Sequence, residues 1–311
     1  MDGLVTLFGG GGFLGRYVAQ ELLRQGVRVR IAERDPSDAF FLKPLGGLGQ
    51  TQFVAADLAK PDSVRRAVEG SSAVVNLVGI LKGNFDAVHV TGARNAAEAA
   101  AAAGAEAFVQ LSAIGADRAA PSAYARSKHE GEAAVQAAFP SATILRPSVL
   151  FGPEDDFINR FAGLIAKTPL VPVIKAGTRF QPAWVVDVAR AVAQAALDPA
   201  AHAGQTYELA GPQVLSMAQL LGWIAQATGH APTLIDLPDA IAAGLARLAG
   251  WLPGAPITWN QWLMLQHDNV ARAGAAGFDA FGIAPTPLAA VAPQWLVKYR
   301  KHGRFSLSAS A

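Results

Sequence analysis

Four consecutive glycines connect a short apolar segment, residues 4–8, to an amphipathic segment that begins with Phe13 and Leu14. A strand that ends in glycines and continues into a helix leaves backbone N–H groups and the positive end of the helix dipole facing an anion, with no Cβ in the way. The pyrophosphate of a dinucleotide is the anion that such a turn typically binds. The pattern therefore predicts a nucleotide-binding strand, turn and helix.

The glycines of this turn fit two spacings, GxGxxG beginning at Gly10 and GxxGxxG formed by Gly9, Gly12 and Gly15. Both spacings occur in dinucleotide-binding turns, so the turn alone leaves the class of site open. A flexible turn that binds nothing is the alternative, and the strand before and helix after the glycines argue against it.

The second apolar segment ends in an acidic residue followed by a basic one, Glu33 and Arg34. An acidic side chain at this point of a nucleotide-binding fold binds the ribose hydroxyls of NAD, whereas an arginine accepts the 2′-phosphate of NADP. Because the sequence offers both residues, NAD(H) and NADP(H) both stay open on this evidence. An ordinary solvated charge is the alternative role for each residue.

Short apolar segments alternate with longer helical patterns through the first half of the chain. The predicted strands are 4–8, 27–32, 52–55, 73–78, 107–111 and 142–145, and the predicted helices are 13–24, 62–68, 85–103 and 122–138. This alternation is typical of βαβ units. We therefore expect an α/β fold with a doubly wound parallel sheet in residues 1–150, to which 183–200 return. Residues 151–311 are expected to form a smaller, mainly helical domain.

The composition is unusually apolar, with 51% hydrophobic residues and a mean hydropathy of +0.25. A membrane-spanning helix needs roughly 20 mostly apolar residues. The longest uncharged segments, 209–235 and 248–267, both contain prolines and amides, so we expect no membrane-spanning helix.

The first residues lack a basic and apolar leader, so we expect no signal peptide and a cytoplasmic protein. A net charge of +2 does not favour nucleic acid binding. The sequence has no cysteine and only scattered histidines, so no metal site is expected.

Tyr124 and Lys128 are four residues apart in the predicted helix that follows the fifth strand. Residues at this spacing share one helix face. An ammonium beside a phenol favours the phenolate and so lowers the pKa of the tyrosine towards the range useful for proton transfer. The pair is therefore a candidate acid/base site, with Lys128 also near the ribose of a bound cofactor.

These motifs together resemble the extended short-chain dehydrogenase/reductase superfamily over essentially the whole chain. The resemblance also rests on the phrases at 146–153 and 184–189. It implies a Rossmann fold, the GxxGxxG spacing and a nicotinamide cofactor, with Tyr124 as general acid/base, Lys128 as its orienting partner and a hydroxyl residue, Ser112, as the third member. By register, Ala113 falls closer to that third position than Ser112 does.

The resemblance further implies a set of cofactor-binding positions along the strand ends. These are Gly9, Gly12, Phe13, Leu14, Gly15, Glu33, Arg34, Asp57, Leu58, Val78, Gly79, Lys128, Pro147 and Ser148. The resemblance implies that Asp57 and Leu58, after the third strand, lie at the adenine edge of the cofactor. It implies that Val78 and Gly79, after the fourth strand, lie on its ribose side.

A narrower resemblance is carried by residues 138–148, 151–161, 180–187 and 281–287. These phrases are similar to the atypical branch that contains subunit nine of the respiratory complex I alpha subcomplex, in bacterial form. This resemblance implies a tightly held, structural NADPH, with Arg34 as the ligand of the 2′-phosphate. It also implies partners among the complex I subunits near the quinone site. An active reductase, epimerase or dehydratase on a small carbonyl or nucleotide-sugar substrate is the alternative function, and a ligand sensor is a third.

Residues 237–264 carry three tryptophans, Trp251, Trp259 and Trp262, together with Arg247, and the chain ends in a basic segment that includes His302 and Arg304. Aromatic residues beside cations suit a membrane interface or a partner surface. The core of the smaller domain is the alternative place for these residues. The protein is therefore expected to contact the inner face of the plasma membrane, if at all, peripherally.

Overall fold

The computed structural model describes residues 3–248, 250, 257–301 and 303. The described residues form two compact units. The sheet unit comprises residues within 1–147, 185–209 and 272–284, and the second unit comprises those within 148–184, 210–271 and 285–311. Trp251, His302 and Arg304, which entered the prediction of a membrane or partner surface, lie outside the described residues.

The strands are given in chain order. They are β1 (Leu4–Phe8), β2 (Arg28–Glu33), β3 (Thr51–Ala55), β4 (Ala73–Asn76), β5 (Ala107–Leu111), β6 (Thr143–Pro147), β7 (Leu150–Phe151), β8 (Leu170–Ile174), β9 (Arg179–Phe180), β10 (Ala183–Trp184), β11 (Thr206–Leu209), β12 (Leu215–Ser216) and β13 (Thr233–Leu237).

The α-helices follow the same order. They are α1 (Phe13–Arg24), α2 (Pro61–Val68), α3 (Ala93–Ala102), α4 (Ala123–Ala138), α5 (Ile158–Lys167), α6 (Val185–Leu197), α7 (Pro199–His202), α8 (Met217–Thr228), α9 (Asp239–Leu248), α10 (Trp259–Met264), α11 (Leu288–Val291) and α12 (Pro293–Leu296). A π-helical segment, Asp86–Gly92, leads directly into α3, and 3-10 segments cover Pro36–Leu45, Phe278–Phe281 and Val297–Tyr299.

Within the described residues, seven parallel strands form the sheet of the first unit, in the order β11-β6-β5-β4-β1-β2-β3. The order reverses beside β1, which is the arrangement of a doubly wound Rossmann sheet. The predicted α/β fold class is therefore confirmed. In such a sheet, ligands bind outside the carboxyl ends of the strands, at the point where the order reverses.

Small and apolar side chains bury the sheet against its helices. Phe8, Val74, Phe108 and Ile144 on one face pack with a cluster of alanines from α3. Alanine lacks a long side chain, so a helix rich in it can lie close to the sheet and loses little side-chain entropy on folding. On α3, alanines 93, 96, 97, 99 and 100 are buried.

The second unit is built around its own apolar cluster. Leu220, Leu221 and Ile224 of α8 lie in this cluster with Phe151 and Ile158. Three two-stranded ladders accompany the helices in the described part of this unit, β7 with β10, β8 with β13 and β9 with β12. The sequence analysis did not predict these short ladders, because two to five residues carry little periodicity of their own.

The helix predicted over 85–103 is helical, but its first part is wound as a π-helix. A neighbouring glycine shows how closely this segment is packed. A Cβ added to Gly131 of α4 would lie 2.0 Å from the carbonyl oxygen of His89. The π-helical turn and α4 therefore meet backbone to backbone.

Among the described residues, no helix combines the length and the apolar character needed to cross a membrane. Helix α9 does expose one apolar side, formed by Ile241, Leu245 and Leu248. Nearby in the chain, Trp259 and Trp262 stack with ring centroids 4.8 Å apart, and the Arg247 guanidinium lies 5.6 Å from the Trp259 ring.

Candidate functional site

The glycine turn brings the start of α1 against the end of β1. Gly9 has φ +80°, a left-handed conformation that L side chains rarely adopt. The N–H of Gly12 donates to the Gly9 carbonyl at 3.2 Å. A Cβ on Gly15 would lie 2.1 Å from the Gly9 carbonyl oxygen, so α1 can approach the turn only if this residue has no side chain. These three glycines are those of the GxxGxxG spacing.

The N-terminus of α1 is open to an anion. Gly12 is its N-cap, no side chain of the described residues caps it, and its first turn carries no acidic residue. Phe13 and Leu14 supply the first backbone N–H groups of the helix. Unpaired N–H groups together with the helix dipole favour a phosphate at this position. The turn therefore fits the pyrophosphate of a dinucleotide.

Glu33 and Arg34 lie at the end of β2, beside the glycine turn. The Gly11 N–H donates to a Glu33 carboxylate oxygen at 2.6 Å. Burial raises the pKa of Glu33, although the Gly11 hydrogen bond opposes this shift. One carboxylate oxygen of Glu33 thus already accepts a hydrogen bond from the protein backbone. Arg34, at the same strand end, is exposed to solvent.

Asp57 and Leu58 follow β3 as the sequence analysis expected, but their contacts are local. An Asp57 carboxylate oxygen accepts from the Ala59 N–H at 3.0 Å and so stabilises the turn into α2. Leu58 is buried, and its carbonyl accepts from the Asn95 amide at 2.7 Å. Their role at an adenine edge stays a prediction.

Val78 and Gly79 belong to the β4 loop, which we define as residues 77–80. The Val78 N–H donates to the Asn76 side-chain oxygen at 3.2 Å, which ties the loop to the strand end. A Cβ on Gly79 would lie 3.3 Å from Lys128 Nζ. The loop and the tyrosine-bearing helix α4 therefore come together in the sheet unit.

Tyr124 and Lys128 share one face of α4. Lys128 Nζ lies 6.0 Å from the centre of the Tyr124 ring and donates to the Leu111 carbonyl at 3.1 Å. Burial lowers the pKa of Lys128 to about 8, against an opposing effect of Glu132, and burial raises the pKa of Tyr124 to about 12. The Tyr124 phenol is therefore protonated at neutral pH, and burial destabilises the charged form of Lys128.

The third member expected beside this pair is not bonded to it. Ser112 is buried, and its hydroxyl has no hydrogen-bond partner among the described residues. Its backbone N–H donates to the Leu145 carbonyl at 2.7 Å. Ala113, the next residue, is partly exposed. Because side chains alternate along an extended segment, Ala113 points to the opposite side from Ser112 and brings no hydroxyl there.

Pro147 is the last residue of β6 and Ser148 follows it, and the two residues fall in different units. The Pro147 carbonyl accepts from the Ile114 N–H at 3.0 Å within the sheet unit. The Ser148 hydroxyl is buried in the second unit, where it bonds the Asn269 side-chain oxygen at 2.7 Å. A role of either residue in cofactor binding stays a prediction.

A buried ion-pair network supports α4 one turn beyond Lys128. Arg146 of β6 donates to both carboxylate oxygens of Glu132, at 2.8 and 2.5 Å. Glu208 of β11 lies 3.7 Å from Arg146 and accepts from Arg272 at 2.8 Å. Charges buried in this way need paired partners, because an unpaired one would be strongly destabilising. The network fixes α4 to the sheet.

Sequence reasoning missed His89, which it treated only as one of the scattered histidines that form no metal site. His89 is buried in the π-helical segment, its Nε2 lies 3.0 Å from the Ile80 nitrogen and its Nδ1 lies 2.9 Å from the Ser127 hydroxyl. No signal in the sequence connects Ile80, His89 and Ser127, because their contact depends on the fold. The described residues contain no cluster of three side chains able to hold a metal ion.

Residues 5–210 match the NAD dependent epimerase/dehydratase family. The chain belongs to this family, as the motifs and the Rossmann sheet predicted. Within that class, it is similar over nearly its whole length to NADH dehydrogenase (ubiquinone) 1 alpha subcomplex subunit 9, mitochondrial, of Mus musculus. The identity is 34%, and the similarity covers 96% of this chain and 81% of the mouse protein.

Two further proteins show similarity to this chain. The subunit 9 protein of Arabidopsis thaliana is 33% identical, covering 97% of this chain and 80% of the plant protein. A ceramide reductase of Caulobacter vibrioides is 33% identical, covering 76% of this chain and 74% of the reductase. The resemblance to subunit nine relatives that the sequence motifs predicted is confirmed.

Among solved structures, the NADPH-dependent quinone oxidoreductase of Escherichia coli complexed with NADPH has the same fold. Its TM-score is 0.77 at 23% identity, covering 94% of this chain and 99% of that one. The UDP-glucose 4-epimerase of Thermus thermophilus complexed with NAD gives 0.59 at 20% identity, covering 85% and 98%. At these identities, the likeness concerns the fold alone.

Gly15→Ala tests the close approach of α1 to the turn. We expect this variant to lose about 3 kcal/mol of unfolding free energy or to fail to fold, because the new Cβ overlaps backbone that cannot move away. Gly222→Ala is the matched control, since Gly222 lies in α8 with open space around its Cβ position. The control should gain about 0.5–1 kcal/mol. Equal urea midpoints for the two variants would contradict the close approach.

Lys128→Met tests the cost of the buried ammonium. Because burial lowers the pKa of Lys128 to about 8, the folded protein pays the full cost of this charge below that pH. Between pH 8 and the ordinary lysine pKa near 10.5, the folded state loses its proton first and the cost fades. We expect the variant to be more stable at pH 7, by up to about 3 kcal/mol, and to lose this advantage at high pH.

Urea titrations at several pH values measure this difference. Lys60→Met serves as control, because the Lys60 side chain is 74% exposed. Its stability should change by less than about 0.5 kcal/mol at every pH. A Lys128→Met variant that is less stable than the wild-type chain at pH 7 would show that the buried ammonium is not a net cost.

Proposed function

We propose that this chain binds NADP(H) at the carboxyl edge of its Rossmann sheet and acts as an accessory component associated with respiratory complex I. The observation that carries the proposal is the similarity to complex I subunit 9 over 96% of the chain. The open N-terminus of α1 and the glycine turn supply the chemistry for the pyrophosphate. Lys128 would bind the ribose beside the nicotinamide.

NADP(H) is favoured over NAD(H) by the contrast between two neighbouring side chains. Arg34 is exposed at the end of β2, where a 2′-phosphate would meet it. The Glu33 carboxylate, the group that would bind ribose hydroxyls of NAD, already accepts from Gly11. An arginine pairs with phosphate through charge-assisted hydrogen bonds, which are stronger than neutral ones.

The site favours holding the dinucleotide over turning it over. A bound nicotinamide can supply or accept a hydride, and the protein must then supply a proton donor and polarise the substrate oxygen. Tyr124 could donate the proton, but its pKa of about 12 lies far from neutral. Ser112 is buried and bonded to no other side chain of the described residues, and Ala113 has no hydroxyl. Catalysis on this account is vestigial.

An active reductase, epimerase or dehydratase is the second candidate. The intact Tyr124–Lys128 pair favours it, as does the similarity to a ceramide reductase. In this alternative, a small carbonyl compound or a nucleotide sugar would bind beside Tyr124. The two candidates differ in whether the bound cofactor changes its redox state when such compounds are added.

As an accessory protein, the chain would contact membrane-bound subunits from the cytoplasmic side, near the quinone site. The exposed apolar side of α9, with the Trp259 and Trp262 rings close by in the chain, is the surface we assign to this contact. Aromatic and apolar side chains beside Arg247 suit both a protein partner and the membrane interface.

Arg34→Ala tests the choice of cofactor. We expect the Kd for NADPH to rise roughly 10- to 100-fold, since hydrogen bonds between charged groups contribute about 1.5–3 kcal/mol. The Kd for NADH should stay unchanged, because NADH has no phosphate at that position. Fluorescence titration of both cofactors measures these values, with Arg66→Ala as a control for an exposed arginine on α2. Equal NADPH affinity in wild type and Arg34→Ala would exclude this role for Arg34.

Affinity purification from native membranes tests the association. We expect the tagged chain to recover subunits of the respiratory NADH dehydrogenase. A variant with Ile241, Leu245 and Leu248 all changed to serine should lose these subunits while keeping its NADPH affinity, because no residue of α9 is among the predicted cofactor-binding positions. Recovery of the tagged chain without respiratory subunits, together with steady oxidation of NADPH by a carbonyl compound, would favour the reductase instead.

A further inference from the structure

A chain of hydrogen bonds through His89 connects the β4 loop to helix α4. The Ile80 nitrogen lies 3.0 Å from Nε2 of His89. A backbone N–H can only donate, so Nε2 must be the acceptor and the ring proton is on Nδ1. Nδ1–H then donates to the Ser127 hydroxyl at 2.9 Å, and that hydroxyl donates to the Tyr124 carbonyl at 2.8 Å.

Because the His89 ring stays neutral, the donors and acceptors in this series of hydrogen bonds keep their roles. Burial, with a smaller contribution from the Lys128 charge, lowers the pKa of His89 to about 3. The imidazole is therefore neutral throughout the physiological range and keeps one tautomer. Both nitrogens of this buried ring are engaged in hydrogen bonds, one with Ile80 and one with Ser127. Its remaining capacity is to fix the positions of its neighbours.

Ring packing and a backbone contact hold the same elements together. The His89 ring stacks on Phe85, with centroids 5.5 Å apart and planes inclined by 19°. It also meets the Tyr124 ring edge to face at 5.5 Å. The close approach of Gly131 to the His89 carbonyl places α4 directly against the π-helical turn. The π-helix is thus the local distortion that brings His89 between the loop and the Tyr124–Lys128 face.

We propose that His89 is a positioning residue, which fixes the β4 loop and the Tyr124–Lys128 face of α4 in their binding geometry before a dinucleotide arrives. The inference rests on the proposed binding of NADP(H). In the proposed binding mode, Gly79 and Lys128 would contact the nicotinamide side of the dinucleotide, and the glycine turn and Arg34 the pyrophosphate and adenosine side, so His89 would act on only one end of the ligand.

His89→Phe tests this role, because it keeps an aromatic ring at this position and removes both hydrogen bonds. We expect the Kd for NADPH to rise at least roughly tenfold, because the buried Ser127 hydroxyl and the partly buried Ile80 N–H both lose their partner. The Kd for adenosine 2′,5′-bisphosphate, which lacks the nicotinamide end, should change less than about twofold, because the adenosine side is untouched. A merely structural defect would weaken both ligands alike.

His202→Phe is the matched control. His202 is also a buried histidine of the sheet unit, bonded to the Tyr207 hydroxyl at 2.9 Å and stacked on Phe281. The His202→Phe variant should keep its affinity for both ligands unchanged.

Ser127→Ala interrupts the same series of hydrogen bonds at its centre. Adding it to His89→Phe should cost no further NADPH affinity, since interactions within one network are not additive.

Hydrogen exchange of the ligand-free protein provides a measurement that does not depend on the cofactor. Exchange in the β4 loop should accelerate in His89→Phe and stay unchanged in His202→Phe. Unchanged exchange in both variants, or equal losses of affinity for both ligands in His89→Phe, would overturn the positioning role. A wild-type chain that binds neither ligand would instead refute the proposed cofactor binding, and the exchange experiment would still decide the role of His89.

Discussion

The backbone contact between α1 and the glycine turn is the constraint from which the site follows. Because Gly15 lacks a side chain, α1 begins directly at the edge of the sheet, next to the Gly9 carbonyl. That placement leaves the first N–H groups of α1 without a side-chain cap among the described residues. Unpaired helix N–H groups are costly when enclosed and useful when an anion binds them. The same constraint thus accounts for the local fold and for its capacity to bind a phosphate.

The opposite end of the site depends on a charge in an unfavourable place. Lys128 is buried, and burial lowers its pKa to about 8. The Glu132–Arg146 pair one turn away and the hydrogen bonds of His89 fix the helix that carries it. Proteins commonly accept such local costs where a ligand is to be bound. Under the proposed function, Ala113 at the third position would supply no hydroxyl, which agrees with a site that binds a dinucleotide without turning it over.

Much of this organisation could be predicted from the sequence, because it depends on local patterns. The strand before the glycine turn, the helix after it and the helical spacing of Tyr124 and Lys128 are each defined by a few neighbouring residues. The π-helical turn could not be predicted, since it packs closely against Gly131 of another helix and no local pattern marks that contact. The same holds for the contact of His89 with Ser127, 38 residues away, and for the pairing of Glu208 with Arg146. Such contacts exist only once the sheet has formed.

The most direct test of the central claim is the nucleotide content of the protein purified from its native membranes. The protein is denatured, and the released nucleotides are quantified by liquid chromatography with mass spectrometry. A cofactor held as a lasting part of the structure predicts equimolar NADP(H), retained through purification and unchanged in redox state after incubation with carbonyl compounds and quinones. Protein that releases no nicotinamide nucleotide, or whose bound NADPH is promptly oxidised by such a compound, would contradict the account.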